Sequence, residues 1–311
     1  MRVFLTGGTG MVGSCFLRLM AELKPHWQVT APTRAELDLC DRQQVLAALQ
    51  LQAGAKPYDL VIHAGAKVGG IKANQDHMVD FFTQNMMMGL NVIAGAAQSG
   101  IKNLINLGSS CMYPRNFGEK LREEDILAAP LEPTNEGYAL AKISAQRLCV
   151  YLMREHPELN YKTIIPCNLY GPGDRYDASG GHLFAHIIMK THAAVMSGAE
   201  QVEIWGDGTA RREFVYVDDM VEFAIRFADH LQDFPDTVNI GAGCDHTVRD
   251  YYEIVADCLG YQGEFYYNKN YPNGMAHKLM DITLAQSLGW SPKTSLKEGI
   301  HKTYEAYRGS R

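Results

Sequence analysis

The chain predicts an α/β fold, a doubly wound parallel sheet with a smaller C-terminal lobe, and two observations carry that prediction. Short apolar runs at 2–6, 27–32, 59–64, 103–108 and 161–166 alternate with helical stretches at 11–23, 42–52, 74–99 and 136–155. Such alternation gives a parallel sheet with helices on both faces. A glycine turn, Gly7-Gly8-Thr9-Gly10-Met11-Val12-Gly13, sits between the first strand and the first helix.

In chain order, Arg2–Thr6 reads as a buried strand, and an amphipathic helix runs through Phe16, Leu17, Leu19, Met20 and Leu23. Glycines 7, 10 and 13 permit a tight turn, close backbone approach to a pyrophosphate and close helix–strand packing. The helix start, with Met11 and Val12 in its first turn, offers free N–H groups to phosphate. This is a Rossmann-type dinucleotide signature, in the three-residue spacing of short-chain dehydrogenases. The second strand ends at Thr33-Arg34 with no acid to hold a ribose 2′-hydroxyl. Arg34 suits a 2′-phosphate instead, so the expected cofactor is NADP rather than NAD. Glu36 reads as lying past that contact, and Leu37–Asp41, with Leu39 at its centre, as flanking the adenine.

After Pro166 the pattern loosens into a Gly/Asp-rich loop at 171–181, a helix at 183–197 and short strands at 201–205 and 212–216. A helix at 218–231 and a strand at 237–240 are regular enough to rejoin the sheet. The last seventy residues read as short helices with a loop at Asn268–His277. Residues 1–166, rejoined by about 217–241, are therefore expected to form the dinucleotide-binding unit, and 167–216 with 242–311 the second lobe.

Composition narrows the function. With 311 residues, 46% hydrophobic and 21% charged, the chain can bury a large core. A net charge of −6 and the absence of a basic block argue against nucleic acid as partner. No apolar run approaches membrane-spanning length and the opening residues read as a strand, so no membrane partner and a cytoplasmic location are expected. Seven cysteines, at 15, 40, 111, 149, 167, 244 and 258, contain no Cys-x-x-Cys pair. That fits a reducing compartment and argues against a disulfide framework or a metal site.

The chemistry centres on Tyr138 and Lys142. A spacing of four puts them on one helix face, about 5–6 Å apart at Cβ. An ammonium that close is expected to favour the tyrosinate and ready the phenol for proton transfer. The strand at 103–108 delivers Gly108-Ser109-Ser110-Cys111-Met112-Tyr113-Pro114 to the carboxyl edge, where doubly wound sheets bind ligands. A serine there completes a set for carbonyl reduction. Ser109 would hydrogen-bond the substrate oxygen, Tyr138 would protonate it, and Lys142 would tune the tyrosine and hold the nicotinamide ribose. Spacing alone leaves Ser109 and Ser110 both open.

These motifs resemble the extended short-chain dehydrogenase/reductase superfamily of nucleotide-sugar enzymes. More narrowly, Ala66-Lys67-Val68-Gly69-Gly70-Ile71, Asn85-Met86-Met87, the Gly108–Pro114 run, Glu132-Pro133-Thr134-Asn135-Glu136 and Asn168-Leu169-Tyr170-Gly171-Pro172 resemble the GDP-L-fucose synthase family over nearly the whole chain. The resemblance implies 3,5-epimerisation and then NADPH-dependent 4-reduction of GDP-4-keto-6-deoxy-D-mannose by a homodimer. It implies Ser109, Tyr138 and Lys142 as the reductase set, and Cys111 and His182 as base and acid of epimerisation. It also implies nucleotide and sugar contacts at Asn168, Leu183, Lys190, Trp205, Arg212 and Lys278. The chemistry is coherent, because a C4 ketone acidifies the C3 and C5 protons and lets a thiolate and an imidazole exchange them. Arg212 and Lys278 can offer charge to a diphosphate, and Trp205 a flat surface to a base or sugar.

The chain departs from that family's pattern in three places. Gly8-Thr9 stands where many members have a histidine after the glycine, Gly173-Asp174-Arg175-Tyr176 where His-Asp-Asn-Phe is usual, and Leu183-Phe184-Ala185 where Val-x-Pro is usual. A second reading is therefore a 4-ketoreductase of another nucleotide-linked 4-keto-6-deoxy sugar, dTDP-linked or modified, without epimerisation. A third is a catalytically silent NADP-binding protein, which the intact Ser109/Tyr138/Lys142 set opposes. Met86, Met87, Met88 and Leu90 read as core or dimer packing.

Overall fold

The structure is a computed structural model that describes residues 1–50, 56–177, 181–271 and 275–309. Its first half lays down β1 (Arg2–Thr6), α1 (Met11–Leu23), β2 (Gln28–Thr30), α2 (Arg42–Leu49), β3 (Leu60–His63), α3 (Ile71–Asp76), α4 (Met78–Gln98), β4 (Asn103–Leu107), α5 (Glu136–Glu155) and β5 (Asn160–Pro166). There follow β6 (Asn168–Tyr170), α6 (Leu183–Ser197), β7 (Gln201–Trp205), β8 (Arg211–Arg212), β9 (Phe214–Tyr216), α7 (Val217–Phe227) and β10 (Thr237–Ile240). The chain closes with β11 (His246–Thr247), α8 (Val248–Leu259), β12 (Glu264–Asn268), α9 (Thr283–Ser287) and α10 (Leu296–Gly309).

Six parallel strands form the main sheet in the order β10-β5-β4-β3-β1-β2. Alternate side chains enter different cores, as period-two geometry requires. Val3, Leu5, Ile62 and Ile105 join one cluster with Phe16 and Met20 of α1 and Met220 and Val221 of α7. Phe4, Val61 and Leu104 join the other with Val92 and Ile93 of α4 and Cys149 of α5. Both faces are thus apolar, which is why these strands read as continuous hydrophobic runs. The chain leaves β1 in one direction for β2 and in the other for β3. That switch point sets the ligand crevice at the carboxyl ends of β1, β3 and β4.

A third cluster lies apart from the six-stranded sheet and is largely aromatic: Tyr170, Phe184, Phe214, Tyr216 and Tyr251, with Ile187, Val255 and Ile300 from α6, α8 and α10. Tyr170 and Phe184 lie 4.3 Å apart between ring centroids. Three two-stranded pairs, β6–β9, β7–β12 and β8–β11, stand outside the main sheet.

Several boundaries differ from the sequence reading, each for a local reason. The strand expected at 27–32 shrinks to Gln28–Thr30, an edge strand that pairs only with Arg2–Phe4. α2 stops at Leu49, and residues 51 and 52 of the expected helix lie outside the described residues. The expected helix at 74–99 is broken at His77, whose φ of −134° leaves the helical region between α3 and α4. The expected strand at 212–216 divides into β8 and β9 at Glu213, a residue 1% exposed. The expected helix at 218–231 ends at Phe227 and a single 3-10 turn follows at Leu231–Asp233. The C-terminal third is more regular than expected. α8 starts on a reciprocal Thr247–Asp250 cap and stops at Gly260, and β12 lies parallel to β7.

Candidate active site

The β1–α1 turn is fixed by two glycines. Gly7 has φ +75°, and a Cβ there would lie 2.7 Å from the Gly65 nitrogen just beyond β3. A Cβ at Gly13 would lie only 2.0 Å from the Gly7 carbonyl oxygen. Gly10 caps α1 without a side chain, its N–H donating to Gly7 O at 3.0 Å. The first-turn N–H groups of Met11, Val12 and Gly13 therefore meet no capping side chain and no intrahelical acceptor, the arrangement that takes a phosphate. A cradle that an added methyl would fill fits the pyrophosphate of a dinucleotide.

Arg34 is exposed just past β2. The nearby Glu36 carboxylate turns back to accept from the Thr33 N–H at 2.8 Å and its hydroxyl at 2.9 Å. Leu39 is half-buried, and Asn91 Nδ2 donates to its carbonyl at 3.0 Å.

Beyond β4 the chain makes a 3-10 turn at Ser110–Met112, capped by Ser109 Oγ, which accepts the Cys111 N–H at 3.2 Å. The same Ser109 side chain acts on the Tyr138 phenol, opposing the rise that burial causes. Ser110 is buried instead and meets Lys278 Nζ at 3.5 Å.

Lys142 shares a helix face with Tyr138, as expected, and its Nζ lies 6.0 Å from the ring centroid. It does not tune the phenol here, because it donates instead to the Leu107 carbonyl at 2.8 Å. Burial pushes Tyr138 well above the ordinary phenol value, Cys111 adds to that and Ser109 opposes it. Tyr138 is therefore a neutral proton donor. Burial also pushes Lys142 down to about 8. Behind it, His63 Nδ1 and Thr6 Oγ1 are 2.8 Å apart, and burial followed by the Lys142 charge pushes His63 down to about 3, so that ring is neutral.

Cys111 Sγ receives Asn135 Nδ2 at 3.2 Å and Lys278 Nζ at 3.8 Å, and the Arg212 guanidinium interacts with it through charge. Lys278 thus lies at the chemical end of the site. Asn135 Oδ1 is buried with no partner among the described residues. His182 caps α6 and its Nδ1 lies 2.9 Å from Asp174 Oδ1. That hydrogen bond raises the imidazole above its ordinary value against the opposing effect of burial.

Of the remaining expected contacts, Lys190 and Trp205 meet at Glu203. Lys190 Nζ meets Glu203 O at 3.1 Å and lies 4.6 Å over the Trp205 ring. Trp205 Nε1 donates to Glu203 Oε2 at 2.7 Å, and its indole stacks on Tyr271 at 4.2 Å and 10°. Trp205 is thus covered rather than presented as a bare flat surface. Leu183 opens α6 and is half-buried, and Asn168 Nδ2 donates to Glu213 O at 2.8 Å. Arg212 Nη1 donates to the carbonyls of Arg211 at 2.7 Å and Met275 at 2.5 Å.

The structure brings Ser109, Cys111, Tyr138, Lys142, Arg212 and Lys278 around one turn. Asn135, Asp174 and Tyr271 join the site unassigned by the sequence reading. Asn135 and Asp174 sit inside quoted motifs, and Tyr271 lies in the expected loop Asn268–His277.

The family described as NAD dependent epimerase/dehydratase matches residues 3–241. The GDP-L-colitose synthase of Yersinia pseudotuberculosis is 43% identical over 99% of this chain and 98% of its own length. The GDP-L-fucose synthase of Azorhizobium caulinodans is 44% identical over 98% of this chain and 96% of its own. Among solved structures, the GDP-mannoheptose C4 reductase of Campylobacter jejuni with NADP bound superposes with a TM-score of 0.87, at 28% identity over 99% of this chain and 98% of that one.

Proposed function

This chain belongs to the NAD dependent epimerase/dehydratase family and, within it, to the GDP-L-fucose synthase family, and from that premise we propose an NADPH-dependent epimerase and 4-reductase of a GDP-linked 4-keto-6-deoxy hexose. GDP-4-keto-6-deoxy-D-mannose is the proposed substrate and GDP-L-fucose the product. The observation that carries the reading is that Ser109, whose Oγ accepts the Cys111 N–H at 3.2 Å, also acts on the Tyr138 phenol. That juxtaposition supports Tyr138 as the proton donor at C4 and Cys111 as the thiol that serves C3 and C5.

NADPH, when bound, supplies the hydride. Gly7, Gly10, Met11, Val12 and Gly13 would hold its pyrophosphate, Arg34 its 2′-phosphate, Leu39 its adenine and Lys142 its nicotinamide ribose. Support for NADP comes from the relative solved with it and from the engagement of Glu36 with Thr33. Cys111, with the Asn135 amide and the Lys278 ammonium donating to its sulfur, removes the protons that the C4 ketone acidifies. His182 returns a proton to carbon. Ser109 then holds the C4 oxygen and Tyr138 protonates it. Asn168, Leu183, Lys190, Trp205 and Arg212 would orient the nucleotide sugar, with Lys278 reaching it from beside Cys111.

The proposed cofactor unit is residues 1–166, rejoined by about 217–241, and the nucleotide-sugar lobe is 167–216 with 242–311. A homodimer is proposed through α4 and α5, which expose Val79, Phe82, Met87, Leu90, Leu140 and Tyr151. A cytoplasmic location fits relatives that act on nucleotide sugars, and no described helix is long and apolar enough to cross a membrane.

The test is NADPH consumption with GDP-, dTDP- and UDP-linked 4-keto-6-deoxy sugars, followed by NMR of the product. Turnover of the GDP sugar with inverted C3 and C5 is expected. Reduction with both centres retained would instead favour the reductase that does not epimerise, and no turnover of any sugar would overturn the enzyme assignment.

A further inference from the structure

The segment Gly171–Asp177 runs from β6 across the first turn of α1 and back toward α6. It is pinned at two points. At Gly173, with φ +82°, a Cβ would lie 3.4 Å from Ser14 Oγ and 3.6 Å from Met11 Cα on the cofactor helix. At the other end the Tyr176 ring packs on Tyr307 of α10, with centroids 4.5 Å apart. Between the pins stands Asp174, whose side chain is only 4% exposed. Its Oδ1 accepts the Arg175 N–H at 2.7 Å and meets His182 Nδ1 at 2.9 Å.

We propose that Asp174 is a positioning residue for the epimerisation acid, fixing the His182 ring by Nδ1 and leaving Nε2 as the nitrogen that serves the sugar. The proposal rests on the epimerase reading above for its chemistry, but not for its geometry. A carboxylate on Nδ1 selects the tautomer with the proton there, and in the imidazolium it leaves Nε2–H as the transferable proton. The carboxylate also stabilises the imidazolium, consistent with the raised titration of His182.

The other groups that pack near the ring do not compete for this role. Arg175 and Asp177 on the strap pair with each other. His186, one turn along α6, gives its Nε2 to the Asp177 carbonyl at 2.9 Å. Gly70, before α3, brings only backbone, a Cβ there lying 3.3 Å from Gly181 O. Among the described residues, Asp174 is the one charged group acting on His182.

The strap also explains why an acid should be carried on a loop at all. Because Gly173 rests on Met11 and Ser14, the residue that aims His182 is registered against the turn that receives the pyrophosphate. The acid is thereby aligned with the cofactor rather than with the rest of the sugar lobe.

The test compares wild type with Asp174→Asn, which keeps the shape and a hydrogen-bond acceptor but removes the charge, and with Asp174→Glu as the rescue variant. The first readout is the His182 imidazole titration by NMR in protein without substrate, assigned with His182→Gln. The second is the pH profile of deuterium wash-in at C3 and C5 in D₂O. In Asp174→Asn the ring is expected to titrate at lower pH, and the alkaline limb of wash-in to move to lower pH with it, cutting wash-in about tenfold at the alkaline end. NADPH affinity should stay within about twofold of wild type, a readout that a collapsed strap would not spare, and Asp174→Glu should recover part of both shifts.

An unchanged ring titration in Asp174→Asn overturns the proposal. So does a shifted titration with an unmoved wash-in profile. If wild type itself shows no wash-in, the epimerase reading fails while the substrate-free titration still decides whether Asp174 governs the ring.

Discussion

The cofactor end and the sugar end of this crevice are built in different ways. At the cofactor end the functional groups are main-chain N–H groups held by glycines, and among the described residues no side chain caps them. At the sugar end they are long side chains already engaged with one another, Lys190 with Glu203, Trp205 with Tyr271 and Arg212 with two carbonyls. A preformed cradle loses little freedom on binding, whereas a self-paired lobe must exchange partners when its ligand enters. Substitutions at the first end should therefore act all-or-none, and those at the second by degrees.

The largest effect is expected at Gly13. A methyl there would sit 2.0 Å from the Gly7 carbonyl oxygen, which is backbone and cannot swing aside. Gly13→Ala should abolish measurable NADPH binding and lower the melting temperature, since overpacking costs roughly 1–3 kcal/mol or more. Gly10→Ala is the sharper control, because its Cβ would stand at an ordinary 3.5 Å from the same oxygen. Fluorescence titration with NADPH separates the two. Equal affinities would mean that the turn is not the preformed element of the comparison.

Next in size is the reductase set, where the two ends meet. Tyr138→Phe should cut 4-reduction roughly 10²–10⁴-fold while NADPH still binds. The pH dependence follows from Lys142, which burial pushes down to about 8. Its charge is present below that value and lost above it, so NADPH affinity should fall as pH rises through about 8. Stability carries the opposite sign. A lysine depressed on folding favours the neutral form in the native state, so stability rises between about pH 8 and its unfolded value near 10.4. In Lys142→Met that rise should disappear, as denaturant melts at several pH values would show. A Lys142→Met curve that keeps the wild-type slope would break the link between burial and function here.

The same contrast decides what could be read without coordinates. The six-stranded sheet and the glycine turn were legible because they rest on periodicity and on one residue type with a special conformation. That Tyr138 and Lys142 share a helix face was legible from their spacing, whereas the choice between Ser109 and Ser110 was not. The direction of the Lys142 ammonium was not, since a four-carbon stem can reach either the phenol or the Leu107 carbonyl. In the sugar lobe, spacing gave neither the partner of Lys278 nor the stacking of Tyr271, because both depend on long-range packing of segments far apart in the chain. The departures at 173 and 176 read only as altered sequence beside the sugar. In the structure those two residues anchor the strap that carries Asp174.

The smallest effect expected, and the one that tests the graded end most directly, is at Tyr271. Its ring lies nearly parallel to the Trp205 indole at 4.2 Å, and Lys190 lies 4.6 Å over the same indole. On the proposed reading a nucleotide base stacks on that indole, and it does so only after Tyr271 gives way. An aromatic pair of this kind is worth about 0.5–1.5 kcal/mol beyond its buried area. Removing the competitor should therefore lower the KM for the nucleotide sugar by roughly two- to tenfold in Tyr271→Ala. With no contact to the reacting carbons, kcat should hold, and Tyr271→Phe, which keeps the stack, should behave as wild type. Stopped-flow tryptophan fluorescence on mixing with GDP supplies a second reading. Wild type should show the indole exchanging one ring for another, and Tyr271→Ala should show a faster association without that exchange. A KM that rises in Tyr271→Ala would mean that the tyrosine stacks on the base as a partner, and the sugar end would then be preformed after all.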